Sequence, residues 1–204
     1  TGKEQGLLGV IEVDGVLYRF MGKEAPEKET PVRFEKAAVQ QSVNVLPTQT
    51  YYTFKCGPVC LDLVFTSPIL LEDLDRMSTP VNYISWQVRA MDEKAHETRL
   101  AIEASPSLAV HSNDQAVTVA FEEENGISYL KVGTVEQTVL ARKGDDVRID
   151  WGYFYLAAQT EKQMEMKVSH RQQLVYSCDM GMVSDSPQSG YLMVGYDDLY
   201  SIQY

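Results

Sequence analysis

The residues best able to do chemistry are concentrated between positions 143 and 155, where acidic, basic and aromatic side chains follow one another closely. The β-branched and aromatic residues of 147–156 predict a strand, on which Asp146, Arg148 and Asp150 would form a row with about 7 Å between neighbours. Two carboxylates in such a row could act as general acid and base, as they do in glycosidases. The alternative, which we favour, is an Asp–Arg–Asp ladder at a sheet edge or a domain contact, because such charge rows are common on solvated sheet faces. The opposite face is predicted to be core and contains Val147, Ile149, Trp151, Tyr153 and Tyr155.

Other catalytic, metal and cofactor chemistries lack their sequence signatures. The three histidines, His96, His111 and His170, are far apart, and none has the His-Glu-x-x-His spacing of a zinc site. Each is expected to be a solvated or hydrogen-bonded strand residue. The acidic residues of 72–75 and of 122–124 do not have the spacing of a calcium-binding loop. The sequence contains no Gly-x-Ser-x-Gly elbow, phosphate-binding loop or dinucleotide fingerprint, so we predict no catalytic residue, metal or cofactor.

Composition narrows the possible partners. The chain has 204 residues, with 29 acidic side chains against 18 Lys and Arg, which gives a formal net charge of −11. This charge argues against nucleic-acid binding and against anionic membranes, because both depend on clustered basic residues. No apolar run approaches the roughly 20 residues that are needed to span a bilayer. The length and the 44% hydrophobic content are sufficient for one sizeable domain with its own core.

The three cysteines, Cys56, Cys60 and Cys178, cannot all pair within one chain. A two-residue turn at Gly57-Pro58, of type II′ with glycine first, would turn Cys60 away from Cys56. A three-residue loop would bring these two cysteines together, but it would set Phe54 against an acidic residue. Because a buried face fixes the register of a strand, we favour the two-residue turn over a Cys56–Cys60 disulfide. The expected cross-strand pairs are Tyr52–Leu63, Phe54–Leu61 and Cys56–Val59.

Short strands account for most of the chain. Alternating apolar and polar residues, separated by turn signals such as Asp14-Gly15 and Asn125-Gly126, predict an all-β fold. We expect an antiparallel β-sandwich, a class that includes the large supersandwich type, with at most one or two short helices. The predicted strands, besides the two that flank Gly57-Pro58, are 7–13, 16–21, 37–46, 81–90, 97–104, 116–121, 127–132, 147–156, 163–170 and 191–196.

Few segments predict helix. Residues 70–77 could form one or two turns before Pro80, and the acidic and apolar spacing of 197–204 is typical of a helix start. We therefore expect a single β-sandwich domain over residues 1–196. Residues 197–204 are expected to begin a connection to a further domain.

Seven segments form a set that is specific as a whole. They are 6–22 (GLLGVIEVDGVLYRFMG), 43–50 (VNVLPTQT), 65–68 (FTSP), 76–84 (RMSTPVNYI), 103–106 (EASP), 143–152 (KGDDVRIDWG) and 196–202 (YDDLYSI). Together they resemble the N-terminal β-domain of glutaminase A-type proteins of bacteria and fungi. The resemblance extends over nearly the whole chain, from about residue 6 to residue 204.

The resemblance implies a module rather than a complete enzyme. In that family the β-domain precedes a long helical domain similar to the (α/α)-barrels of glycoside hydrolases. The parent protein hydrolyses glutamine to glutamate and ammonia and is usually exported, to the periplasm, the cell surface or the medium. No catalytic residue of the family can be carried over to this chain, and the helical domain of the same parent chain is the expected partner. The candidates for the inter-domain face or cleft rim are Asp145, Asp146, Arg148, Asp150, Trp151 and Asp198.

Three hypotheses for function follow. The first is a non-catalytic β-sandwich module that supports the helical domain. The second is a carbohydrate- or peptide-binding module of an exported glycosidase-like protein, suggested by the twelve tyrosines and two tryptophans. The third is a hydrolase that uses Asp146 and Asp150 itself. The lack of a catalytic residue set favours the first hypothesis, and this chain alone is expected to be inactive.

Overall fold

The computed structural model describes residues 6–23 and 36–198. These ranges contain fourteen strands, one five-residue α-helix and one 3₁₀ turn at Pro106–Leu108. No described helix is long and apolar enough to cross a membrane. In chain order the elements are β1 (Leu7–Val13), β2 (Val16–Met21), β3 (Lys36–Ala37), β4 (Val39–Val45), β5 (Gln49–Cys56), β6 (Val59–Thr66), α1 (Leu74–Ser78), β7 (Val81–Ala90), β8 (His96–Ala104), β9 (Val117–Glu124), β10 (Ile127–Thr134), β11 (Tyr153–Gln159), β12 (Met164–Val168), β13 (Leu174–Val183) and β14 (Gln188–Asp197).

The strands form two sheets that enclose one core. The six-stranded sheet has the order β12-β13-β8-β1-β2-β3, and the eight-stranded sheet has the order β4-β5-β6-β7-β14-β11-β10-β9. All the paired strands are antiparallel except β2 and β3. The predicted all-β antiparallel sandwich is therefore confirmed.

The core is built from alternate residues of both sheets, as the two-residue period of a strand requires. Full burial of one aliphatic side chain contributes about 1.5–3 kcal/mol, so these residues dominate the stability of the domain. The largest fully buried side chains include Ile11, Leu100, Ile102 and Leu174 from the six-stranded sheet and Leu61, Leu63, Ile84, Leu130, Leu156 and Leu192 from the eight-stranded sheet.

The predicted hairpin turns are confirmed where two-residue signals occur. Asp14 and Gly15 have φ values of 50° and 78°, and Asn125 and Gly126 have 52° and 77°, as in type I′ turns. At Gly57-Pro58 the observed pairs are Tyr52–Leu63, Phe54–Leu61 and Cys56–Val59, as expected from the apolar pattern. Accordingly Cys56, Cys60 and Cys178 are all free and buried, and no Cys56–Cys60 disulfide forms.

The predicted strand 147–156 is wrong in its first half. The strand β11 begins only at Tyr153, because Gly152 has a φ of +122°, which ends extended structure before it. The core face and the outer face of this segment are also the reverse of the prediction, because Phe154 and Leu156 are buried in the core. Tyr153 and Tyr155 are half-buried on the outer face of the sheet. Val147 and Ile149, which were predicted to be core, are 38% and 47% exposed, whereas Trp151 is buried as predicted.

Other boundaries differ by smaller amounts. Within the predicted helical region 70–77, α1 begins only at Leu74, where the side chain of Asp73 accepts a hydrogen bond from the backbone N–H of Arg76. No strand is predicted from the sequence for β13, which lies inside the six-stranded sheet. Strand β14 continues through Asp197, and residues 199–204, the greater part of the expected helix start, lie outside the described residues.

Candidate functional site

Three connections at one end of the eight-stranded sheet are long, whereas all the connections at the other end are short. The short connections are 57–58, 91–95, 125–126, 160–163 and 184–187. The connections at the opposite end are 46–48, 67–80, 105–116 and 135–152, and Asp198 follows β14 at the same end. We call these connections and Asp198 the loop end of the domain.

The loop end carries most of the exposed large apolar side chains that lie in connections. Among the described residues, Met91 is the only exposed large apolar side chain in the short connections. At the loop end Leu71 is 80% exposed, Leu140 is 74% exposed and Leu74 is 66% exposed. Monomeric proteins rarely expose large contiguous apolar areas unless another surface covers them. The full set at the loop end is Leu46, Ile69, Leu70, Leu71, Leu74, Met77, Val135, Leu140, Val147 and Ile149.

A buried carboxylate holds the loops of this end together. Asp150 is only 7% exposed, and its Oδ2 accepts a 2.8 Å hydrogen bond from Gln115 Nε2. Arg142 Nε lies 3.8 Å from the same oxygen. The backbone oxygen of Asp150 accepts a 2.6 Å hydrogen bond from the Thr134 hydroxyl. One residue thus joins the connection 135–152 to 105–116 and to the end of β10.

Gly152 brings the same connection against the end of β14. A Cβ at this position would lie 2.3 Å from the backbone oxygen of Asp197 and 2.7 Å from the Cα of Asp198. Gln137 Oε1 accepts a hydrogen bond of 2.5 Å from the Gly152 N–H. The Tyr196 hydroxyl donates to the backbone oxygen of Ile149 at 3.3 Å. Asp198 therefore lies beside the segment that contains the other candidate residues.

The predicted charge row is not formed. Arg148 lies in the connection, where its backbone N–H donates to His111 Nδ1 and its Nη1 donates to the Ser107 oxygen, each at 3.4 Å. Asp145 and Asp146 are exposed in the same connection, while Asp150 is buried. Because these residues are not on a strand, the carboxylates do not share one sheet face with Arg148 as predicted. The structure does place Arg148, Asp150, Trp151 and Asp198 in one group of packed loops.

An apolar trough on the outer face of the eight-stranded sheet adjoins the loop end. It has a volume of about 320 Å³, and Pro80, Val81, Tyr129, Tyr155, Met193 and Gly195 are among its lining residues. The rings of Tyr129 and Tyr155 lie 6.0 Å apart between centroids. Burial raises the pKa of Tyr155. The trough is not predicted from the sequence, because the apolar alternation of 147–156 places Tyr155 in the core.

A buried histidine is a second feature that sequence reasoning described only in general terms. His96 Nδ1 lies 2.6 Å from a carboxylate oxygen of Asp14, and His96 Nε2 lies 3.0 Å from one of Asp92. The hydrogen bond with Asp92, followed by that with Asp14, raises the pKa of His96. Asp14 belongs to the first hairpin turn, so the histidine ties that turn to the beginning of β8. This agrees with the expectation of a hydrogen-bonded strand residue.

The fold is an all-β sandwich domain whose two ends differ in the exposed apolar side chains of their connections. Among the described residues no three His, Cys, Asp or Glu side chains converge as metal ligands would. The chain belongs to the protein family described as "Domain of unknown function (DUF5127)", whose sequence model matches residues 48–175.

Comparison with individual proteins agrees with the resemblance found in the sequence. The chain is 27% identical over 164 residues to glutaminase A of Aspergillus oryzae (strain ATCC 42149 / RIB 40), and the match covers 78% of this chain. The match spans only 22% of the length of that relative. Among solved structures, a chain described as "Putative kojibiose phosphorylase from human microbiome" gives a TM-score of 0.45 at 10% identity and covers 73% of this chain and 17% of its own. A similarity of this size does not establish a shared fold.

Proposed function

We propose that this domain is a non-catalytic β-sandwich module of a glutaminase-like hydrolase and that it supports a separate helical catalytic domain of the same parent chain. The parent reaction under this proposal is hydrolysis of L-glutamine to L-glutamate and ammonia. The observation that carries the proposal is the concentration of exposed apolar side chains at the loop end. Export of the parent belongs to the proposal on the family resemblance alone, and fractionation of cells that produce the parent would test it.

The loop end has the character of a domain interface. Interfaces between domains of one chain cover about 600–1,500 Å² and combine apolar with polar residues. Here the apolar side chains of the 67–80 and 135–152 connections lie beside charged residues such as Arg148 and Asp198. The glutaminase A relative is several times longer than the matched region, which leaves room for a domain of the proposed kind.

The position of the apolar trough supports the loop end as the contact surface for the helical domain. Pro80 and Val81, which line the trough, directly follow the 67–80 connection, and Asp197 lines it at the end of β14. A partner domain that covers the loop end would therefore reach the trough without leaving the apolar surface. Any polypeptide that follows Asp198 starts from this end of the sheet, so a downstream domain would be tethered beside the surface that we propose it covers.

The hypothesis of catalysis by Asp146 and Asp150 receives less support. A general acid or base must reach the proton that it transfers within hydrogen-bond distance. The Asp150 carboxylate is 7% exposed and already accepts a hydrogen bond from Gln115. In this arrangement Asp150 holds loops in place.

The trough also supports a second candidate function, binding of a carbohydrate. Tyrosine rings offer apolar faces and polar edges, and Tyr129 and Tyr155 frame the trough. We place this candidate second because the same trough adjoins the loop end. A glycan screen on the isolated domain tests it, since retention of a sugar that Tyr155→Ala abolishes would favour this candidate.

Ammonia release from L-glutamine tests the leading proposal. The isolated domain is compared with the full-length gene product, with full-length Leu71→Asp and with full-length Met182→Asp. Leu71 lies at the loop end and Met182, 62% exposed on β13, lies toward the opposite end, so both substitutions add a charge to an exposed position with little effect on the fold of the domain. We expect no release by the isolated domain, wild-type release by Met182→Asp, and reduced release with faster inter-domain proteolysis for Leu71→Asp.

Each contrary result removes a different part of the proposal. Turnover by the isolated domain would place catalysis within this chain. Wild-type activity and proteolysis of Leu71→Asp would remove the loop end as the contact surface. A full-length protein with normal docking but no release of ammonia would overturn the assignment of glutamine as substrate.

A further inference from the structure

A second cavity lies on the opposite side of the molecule, on the outer face of the six-stranded sheet. It has a volume of about 290 Å³, and we call it the outer groove. Its floor is one cross-strand row in which Val10 pairs with Ala101 and Ala101 pairs with Ser177. These side chains are small and therefore leave a depression, and longer side chains on either side form its walls.

Each end of the outer groove carries one carboxylate and one cation. On β8, Arg99 and Glu103 lie two positions to either side of Ala101 and on the same face, which places their Cα atoms about 13 Å apart. Glu12 is the cross-strand partner of Arg99. At the other end Lys167 lines the groove near Glu103. Each end of the groove therefore pairs opposite charges, and the floor between them consists of the small side chains of Val10, Ala101 and Ser177.

Glu103 is held in an unfavourable environment for a carboxylate. Burial raises its pKa, against the smaller opposing effect of Lys167. Among the described residues no side chain or backbone group donates a hydrogen bond to this carboxylate, and Lys167 instead approaches Glu165 at 3.5 Å. Glu103 is only partly buried and lines the groove, so its carboxylate, which has no donor among the described residues, is open to a donor from a ligand.

Arg99 retains donor capacity at the other end. Its Nη2 donates to Glu165 at 3.0 Å and to Ser177 at 2.9 Å. Both bonds come from one nitrogen, so the guanidinium keeps N–H groups on Nε and Nη1 for a further acceptor. These two bonds also fix the orientation of the guanidinium beside Ser177, at the floor of the groove. An orientated guanidinium is well suited to a carboxylate.

We propose that the outer groove binds a small zwitterion of dipeptide size, with its ammonium group at Glu103 and its carboxylate at Arg99. The volume lies at the lower limit for small-molecule sites. Two extended residues span about 7 Å. This is less than the Cα separation of about 13 Å, and Arg99 shortens the distance because its Nη2 reaches Ser177, the cross-strand partner of Ala101. The small side chains of the floor leave room for the main chain and the small side chains of such a ligand. This site lies on the other sheet from the loop end, so the proposal does not depend on the parent activity.

Binding of L-alanyl-L-alanine to the isolated domain tests the proposal, with NMR chemical shifts of the domain as the readout. We compare the free dipeptide with its N-acetylated form and with its C-terminal amide, each of which removes one charge. A charge-assisted hydrogen bond of ordinary strength corresponds to a loss of about tenfold or more in affinity, so each capped form should bind at least about tenfold more weakly. The shifts should centre on Ala101 and Ser177.

Two variants assign the ammonium end. Glu103→Gln should weaken the free dipeptide about tenfold but should leave the affinity of the N-acetylated form unchanged, because the two changes remove the same interaction. Glu97→Gln is the matched control, since Glu97 is exposed on the same face of the same strand and does not line the groove. No shift changes up to about 10 mM dipeptide, or equal binding of the capped and free forms, would overturn the proposal.

Discussion

Substitution of Asp150 by alanine tests the structural role that the loop end assigns to this residue. The change removes the carboxylate that accepts from Gln115 Nε2 at 2.8 Å and that lies 3.8 Å from Arg142 Nε. The backbone oxygen that accepts from the Thr134 hydroxyl remains. The Gln115 side-chain oxygen also keeps its hydrogen bonds from the backbone of His111 and Ser112. The perturbation is therefore confined to the carboxylate.

The expected magnitude follows from these contacts. A hydrogen bond to a charged acceptor contributes about 1.5–3 kcal/mol. The Arg142 side chain is partly exposed, and at this distance such an ion pair adds at most about 1 kcal/mol. We expect Asp150→Ala to lower the free energy of unfolding by about 2–3 kcal/mol, which for a domain of this size lowers Tm by about 5–10 °C.

Urea unfolding monitored by tryptophan fluorescence provides the measurement, because Trp151 is adjacent to the altered residue. Asp150→Asn keeps an acceptor oxygen and should lose about half as much stability. Asp145→Ala is the control from the same connection, and since Asp145 is exposed we expect a change within about 0.5 kcal/mol.

The sign of the change in unfolding free energy distinguishes an anchoring role for Asp150 from a catalytic one. Removal of a carboxylate that is kept for catalysis commonly leaves stability unchanged or increases it. An unchanged or higher unfolding midpoint for Asp150→Ala would therefore refute the anchoring role. An equal loss of stability in Asp145→Ala would show that the connection responds to any substitution and would refute the assignment to this carboxylate.

Three further predictions concern features elsewhere in the domain. Hydrogen bonds with Asp92 and Asp14 raise the pKa of His96 in the folded state. The protonated imidazole therefore stabilises the fold fully below about pH 6.5, and this stabilisation is lost as the pH rises through the raised pKa of the folded state. The unfolding midpoint of the wild type should consequently fall more between about pH 6 and pH 8.5 than that of His96→Gln. Gly152→Ala should lower the free energy of unfolding in urea by about 3 kcal/mol, because a side chain at this position meets both a positive φ and the backbone oxygen of Asp197. Gly15→Ala, which has a positive φ but open space around it, should lower the free energy of unfolding by only about 1 kcal/mol. Burial raises the pKa of Cys56 to about 12, and all three cysteines are buried, so a thiol reagent at pH 8 should label none of them before unfolding and all three after it. Rapid labelling of the native domain would contradict this expectation.

The sequence predicts most of the strands because local signals are strong there. Asp14-Gly15 and Asn125-Gly126 specify their turns through backbone conformation alone, and the apolar alternation of 81–90 gives the boundaries of β7. The register at Gly57-Pro58 is predicted because one face of each flanking strand is apolar.

The candidate site is less predictable because its contacts are long-range. Asp150 is buried through Gln115, which is 35 positions away in the chain, and no local pattern reports such a contact. The strand β11 is apolar or aromatic on both faces, so alternation alone does not decide between Tyr155 and Leu156 as the core residue. The sequence pattern places four of the six candidate residues on a strand, whereas the structure places these four in the connection 135–152: Asp146, Arg148, Asp150 and Trp151.

The place of β14 in the eight-stranded sheet has a consequence for biosynthesis. It is the last described strand along the chain, yet it lies between β7 and β11 and supplies the hydrogen bonds that join β4–β7 to β9–β11. Until Gln188–Asp197 has left the ribosome, the two parts of this sheet each present an open edge. The pairing of Gly195 with Val81 spans more than a hundred positions, and closure over such distances is slow. Nascent chains therefore expose the edges of β7 and β11 to neighbouring chains until β14 has been made, and chaperones are the natural protection against aggregation at that stage.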